Sequence, residues 1–179
     1  MAKRAKQDRK AGATAPRPLA TPTDLDPDEV RNVCEAVNPL VADSIALYVK
    51  TKNFHWHVSG PHFRDYHLLF DEQAESILES VDGLAERLRK IGGTTIRSIG
   101  QIGTLQTIAD DEEEFIPPFE MVRRLLDDNR HMAEHQRAAI EVCDQNRDTP
   151  TGNLLQEVLD QTERRIWFLH EILQKEVIS

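Results

Sequence analysis

His55, His67, Asp71, Asp82 and Glu86 are the residues whose types and spacing point most directly to chemistry. His67 and Asp71 are four apart, as are Asp82 and Glu86, so on a helix each pair projects from one face. The eleven-residue step from Asp71 to Asp82 is three turns plus about 20°, which keeps all four on that face. Imidazole nitrogen together with hard carboxylate oxygen is a donor mix that suits Fe(II).

One chain cannot bring these donors to one ion. At about 1.5 Å per residue, Asp71 and Asp82 stand roughly 16 Å apart along a helix, whereas metal–ligand bonds are near 2 Å. Two antiparallel copies of the helix across a two-fold axis remove the difficulty. Positions 67 and 86, and positions 71 and 82, are centred on the same point between residues 76 and 77. His67 of one chain then lies opposite Glu86 of the other, and Asp71 opposite Asp82. A two-fold interface is self-complementary and yields two identical sites. His55, at the adjacent helix end, is within reach of the same place. An ordinary polar helix face has the same spacing, and spacing alone does not separate the two. The usual intrachain di-iron pattern, Glu-x-x-His, is absent, because no histidine has a Glu three positions earlier.

Hydrophobic periodicity gives the helices that carry these residues. Asp26-Pro27-Asp28-Glu29 has the form of a capping box with Pro at the first helical position. Val30, Val33, Val37, Leu40, Val41, Ile45 and Tyr48 continue at helical spacing. Pro39 is expected to kink or divide that helix, so its main part is expected from Asn38-Pro39 to about His57. Ser59-Gly60-Pro61 opens a second helix carried by Phe63, Phe70, Ala74, Ile77, Val81, Leu84, Leu88 and Ile91, which Gly92-Gly93 ends. Residues 94–116 form a long connection in which Ile96, Ile99, Ile102, Leu105 and Ile108 support a short helix. The acidic run from Asp110 to Glu114 is expected to be a solvated turn. A third long helix follows Pro117-Pro118 and a fourth follows Asp148-Thr149-Pro150. His57, His62 and His131 are expected at helix ends or on wet faces, and Trp167 in the core. The pattern predicts an all-α four-helix bundle of ferritin-like outline, with a short extra helix between helices 2 and 3. Other up-and-down bundles fit the periodicity equally well.

Charge divides the chain unevenly. Residues 1–20 hold six bases (Lys3, Arg4, Lys6, Arg9, Lys10 and Arg17) and one acid, leaving 16 bases and 30 acids in residues 21–179. A basic arm on an acidic body implies a polyanion for the arm and cations for the body. Residues 1–23 have too few apolar groups to offset the entropy of ordering and are expected to form a flexible tail; residues 24–179 are expected to form one bundle domain. No stretch approaches 18 consecutive apolar residues, and no apolar run follows the N-terminal bases, which excludes a membrane span and a secretory signal. Cys34 and Cys143 supply no disulfide framework, and a reducing, cytoplasmic setting is expected.

Lys52-Asn53-Phe54-His55-Trp56-His57-Val58-Ser59-Gly60-Pro61-His62-Phe63, followed by His67 and Asp71, closely resembles the signature of the Dps family, the DNA-protecting miniferritins. Val81-Asp82-Gly83-Leu84-Ala85-Glu86-Arg87, ending at Ile91-Gly92, resembles that family's second signature. The similarity spans roughly residues 30–175. Tyr66 and Thr95 depart from the usual residues, but neither is a ligand position. The resemblance implies a hollow homododecamer whose ferroxidase centres lie between two-fold-related subunits. It assigns His55, His67 and Asp71 from one subunit and Asp82 and Glu86 from its neighbour. It further implies Fe(II) and hydrogen peroxide as substrates, a ferric oxide-hydroxide core, and double-stranded DNA bound without sequence preference in the nucleoid. Trp56, beside His55, is a candidate electron donor, with packing at the helix end as the compatible alternative. Asp144 and Asp148 occupy the region where related proteins line ion-entry pores; solvated loop carboxylates are the alternative there.

Overall fold

The computed structural model describes residues 19–174, so the bases of the expected arm, Lys3 to Arg17, lie outside the described residues. Five helices occur in chain order: α1 Pro27–His57, α2 Phe63–Lys90, α3 Ile99–Leu105, α4 Pro118–Gln145 and α5 Thr149–Ile172. Among the described residues there are no strands, and no helix is long and apolar enough to cross a membrane.

Hydrogen bonds and ion pairs between helices fix their directions. Asn32 meets Asn146 while Lys50 meets Asp128, so α1 and α4 are antiparallel. Arg87 meets Thr151 while Ser76 meets Arg165, so α2 and α5 are antiparallel as well. Within the hairpins, α2 runs against α1 and α5 against α4, which makes α2 and α4 parallel. A helix of 28 residues is about 42 Å long. The connection from α2 to α4 must therefore traverse the length of the bundle, and α3 rides within it against α1.

Two apolar clusters form the core. One gathers Leu47, Phe54, Phe70, Ile77, Leu125, Met132 and Leu169; the other gathers Val33, Cys34, Val37, Leu40, Leu84, Leu88 and Leu155. Buried Arg165 donates to Asn129 Oδ1, Ser76 Oγ and Thr162 Oγ1 at 2.8, 3.1 and 2.8 Å. Burial lowers its pKa to about 10, which still leaves it charged at neutral pH. The buried thiols are pushed up to about 11 at Cys34 and about 12 at Cys143, chiefly by burial, and neither is in a disulfide.

The capping box forms as expected, with the Asp26 amide donating to Glu29 Oε2 at 2.8 Å. Several sequence expectations are corrected. Pro39 does not divide α1, which runs unbroken for 31 residues. A proline inside a helix costs about 3 kcal/mol or more. Here Val33, Val37, Leu40 and Val41 are buried on both sides of it, and that packing holds the helix across the missing hydrogen bond. The tail boundary also moves. Residues 19–23 lie against the end of α2, where Arg89 Nη2 donates to Leu19 O at 2.6 Å and Thr21 Oγ1 donates to Arg89 O at 2.9 Å. Gly92 permits this approach: its φ is 84°, and a Cβ there would meet Thr21 O at 3.0 Å. The acidic turn is only partly solvated, because the Asp111 carboxylate is buried against Arg124 at 2.7 Å. Trp167, expected in the core, is 60% exposed and donates from Nε1 to Glu171 one turn away.

Candidate metal centre

The centre begins at the α1–α2 turn. Val58 ends α1, and Gly60 and His62 take positive φ, 94° and 63°, so that α2 doubles back on α1. Histidine is among the residues that tolerate this region. The reversal places His55 and His67 side by side, their rings stacked with centroids 3.8 Å apart. Phe63 stacks on His67 at 5.1 Å.

The backbone sets the tautomer of both imidazoles. His55 Nδ1 lies 2.8 Å from His67 O, and His67 Nδ1 lies 2.9 Å from His55 O. A carbonyl only accepts, so each Nδ1 carries the proton and donates. In the neutral ring this leaves the lone pair on Nε2, the form in which histidine binds a metal ion. His55 Nε2 is 3.8 Å from Asp71 Oδ1. Lys52 Nζ donates to the same oxygen at 2.5 Å. The Lys52 ammonium holds the Asp71 carboxyl below the ordinary carboxylate range, against the opposing effect of burial.

His55, His67 and Asp71 are thus assembled within one chain. Asp82 and Glu86 are not: both are exposed farther along α2, and Glu86 pairs with Lys90 at 3.4 Å. Leu78, 46% exposed, shares their face of α2 and sits within a turn of the point on which the two ligand pairs are centred. Trp56 projects beside His55 and is 63% exposed, so it is not packed within its own chain.

Asp148 is not a free pore carboxylate. It is 1% exposed, caps α5 by accepting from Thr151 N at 3.2 Å, and pairs with Arg87 at 2.6 Å. Its position directly before Thr149-Pro150, at the start of α5, fits that capping role. Asp144 remains exposed at the end of α4. His131 and His135 converge with buried Asp43 on the seam between α1 and α4, a grouping that sequence spacing did not show. The His131–His135 interval of four was the available signal, but nothing local ties it to a residue of α1.

A family model for the ferritin-like domain matches residues 34–177. An uncharacterised low temperature-induced protein of Nostoc is 30% identical over 87% of this chain and 87% of its own length. DNA protection during starvation protein 2 of Bacillus anthracis is 30% identical over 81% of this chain and 99% of its own. Among solved structures, DpsC from Streptomyces coelicolor superposes with a TM-score of 0.87 at 26% identity, covering 97% of this chain and 99% of that one. With the domain match and the bundle in agreement, the chain belongs to the Dps family of ferritin-like proteins.

Proposed function

We propose that this protein is a miniferritin that oxidises Fe(II), preferably with hydrogen peroxide, at centres shared between two-fold-related subunits. It stores the ferric product as oxide-hydroxide within a hollow dodecamer. The observation that carries this reading is the pair of reciprocal Nδ1–carbonyl hydrogen bonds, which turn the Nε2 atoms of His55 and His67 away from the backbone, that of His55 lying 3.8 Å from Asp71. Asp82 and Glu86 of the neighbouring subunit supply the remaining oxygen ligands, and Leu78 gives the antiparallel contact an apolar centre. Relatives named for DNA protection during starvation support a DNA-protecting role for such a particle.

The residues divide the work. The backbone carbonyls orient the imidazoles before iron arrives, and Asp71, Asp82 and Glu86 offset the charge of two ferrous ions held close together. Two Fe(II) give one electron each to a single H2O2, which leaves as two hydroxide ions, so no hydroxyl radical is released. Exposed Trp56 is placed to donate an electron should a single iron react alone. The acidic body attracts Fe(II), with Asp144 as the remaining entry-pore candidate. The basic arm, with Lys3, Arg4, Lys6, Arg9, Lys10 and Arg17, binds double-stranded DNA without sequence preference, which associates the shell with the nucleoid in the cytoplasm.

The test is anaerobic loading with Fe(II), addition of peroxide, and sizing of the product. The expected result is consumption of two Fe(II) per H2O2 without trapped hydroxyl radical, on a twelve-subunit particle. Radical formation equal to that of free iron contradicts it.

Lys52 competes with iron for Asp71. Lys52→Met is expected to raise Fe(II) affinity at pH 7 by about 2–5-fold, the worth of a partly exposed ion pair. Because Lys52 depresses the Asp71 pKa, the variant protonates Asp71 earlier on acidification, and its affinity falls off at a higher pH than that of the parent. Anaerobic calorimetric titration across pH 4–7 checks both effects.

A further inference from the structure

We propose that Asp43, His131 and His135 form a second site, for a divalent transition-metal ion of the Zn2+ or Fe2+ class, on the seam between α1 and α4. His131 and His135 lie four apart on one face of α4, with ring centroids 4.0 Å apart. Asp43, on α1, is fully buried. One donor atom from each of the three lies within 4.8 Å of the others. A tetrahedral ion about 2.0–2.1 Å from each donor needs them roughly 3.3 Å apart, so closure of up to about 1.5 Å suffices. Rotation of two half-buried imidazoles supplies that.

The carboxylate is already oriented for the task. Asp43 Oδ1 accepts from the amides of Thr107 and Ile108 at 2.5 and 2.9 Å. Its Oδ2 accepts from Thr107 Oγ1 at 2.8 Å, and that hydroxyl is 2.7 Å from His131 Nε2. Threonine has one hydroxyl proton, and an ionised carboxylate only accepts. Thr107 therefore donates to Asp43 and accepts from His131 Nε2–H. The structure thus carries a proton-linked bridge between carboxylate and imidazole at the place where a cation links them directly. Among the described residues no lysine or arginine forms an ion pair with Asp43; Lys50, on the same helix, pairs with Asp128 at 2.7 Å. The Asp43 carboxylate is thus met by three neutral hydrogen-bond donors and, among the described residues, by no Lys or Arg, which leaves a bound cation no competitor for it.

Two imidazoles and one carboxylate, with a coordination position left for water, suit Zn2+ or Fe2+ and not Mg2+ or Ca2+, which favour all-oxygen sets. Asp43 is 12 residues from His55 on the same helix, roughly 18 Å away, so the site is separate from the proposed ferroxidase centre. An ion there ties α1 and α4 to the crossover through Thr107 and Ile108.

The experiment is equilibrium dialysis of the full chain against Zn2+ in excess Mg2+, followed by metal analysis. It compares the parent, a His131→Gln/His135→Gln variant, and an Asp82→Asn/Glu86→Gln variant. The double-histidine variant is expected to bind one fewer Zn2+ per chain than the parent, and the carboxylate variant is expected to keep that ion. A second readout does not depend on the histidine substitutions. In the carboxylate variant, Zn2+ is expected to slow hydrogen exchange across residues 106–109 several-fold. An unchanged zinc count in the double-histidine variant, or unchanged exchange across residues 106–109, overturns the proposal. Repeating the dialysis with Fe2+ under nitrogen distinguishes a site open to iron, marked by the same loss of one ion, from one that takes zinc alone.

Discussion

Replacing Asp82 or Glu86 by alanine is expected to reduce the initial rate of peroxide-driven Fe(II) oxidation by at least about 100-fold. Removing a group that merely orients a metal ligand costs about 10–100-fold, and each of these carboxylates is itself a proposed ligand. Both side chains are exposed on α2. Their removal opens no cavity in the chain, and exposed substitutions of this kind change stability by about 0.5 kcal/mol or less. The helical circular dichroism and the melting temperature are therefore expected to stay close to those of the parent. Stopped-flow absorbance of the ferric product measures the rate. Loss of activity accompanied by loss of helix contradicts the ligand assignment, and so does full activity.

Deleting the basic arm is expected to abolish DNA retardation at moderate salt while ferroxidation persists. Six Lys and Arg residues neutralise up to about six phosphates, which predicts a log–log salt slope near −5 for one engaged arm. Several arms on one particle raise the effective concentration and convert weak contacts into stable binding. The remainder of the chain, with 16 bases against 30 acids, repels the same polyanion. Residues 2–18 are the segment to remove, because Leu19 and Thr21 bond to Arg89 at the end of α2. Gel retardation across a salt series checks the prediction. Undiminished binding by the truncated protein removes the arm from the mechanism.

What the sequence discloses depends on how local the physics is. The capping box at Asp26 and Glu29, the helix periods, the small helix in the crossover and the common face of His67, Asp71, Asp82 and Glu86 all follow from intervals within one element. Pro39 misled because its local cost is set against packing by residues of three other helices. Asp148 misled because a carboxylate beside a helix start satisfies both a cap and a solvent-facing role; burial against Arg87 decides between them. Trp167 shows the converse, a large aromatic at a helical position that the single chain leaves exposed. The Asp43–His131–His135 grouping joins positions nearly 90 residues apart, and only the antiparallel register of α1 against α4 brings them together. The tautomers of His55 and His67 depend on carbonyls of α1 and α2 that face each other only because of the turn between the helices, whose shape no spacing rule describes.

A centre shared between subunits makes a distinctive demand on mixed assemblies. His67→Ala chains and Glu86→Ala chains are each expected to be inactive alone, since every centre then lacks one ligand. At a two-fold contact between one chain of each kind, one centre combines both defects and the other has all of its ligands. Dissociating the two variants, mixing them in equal amounts and reassembling them is therefore expected to restore about one quarter of the parental rate, because half of the random pairings are mixed and each holds one intact centre. Recovery near that fraction supports a centre built from two chains. No recovery in particles shown by mass spectrometry to contain both variants contradicts a centre built from two chains.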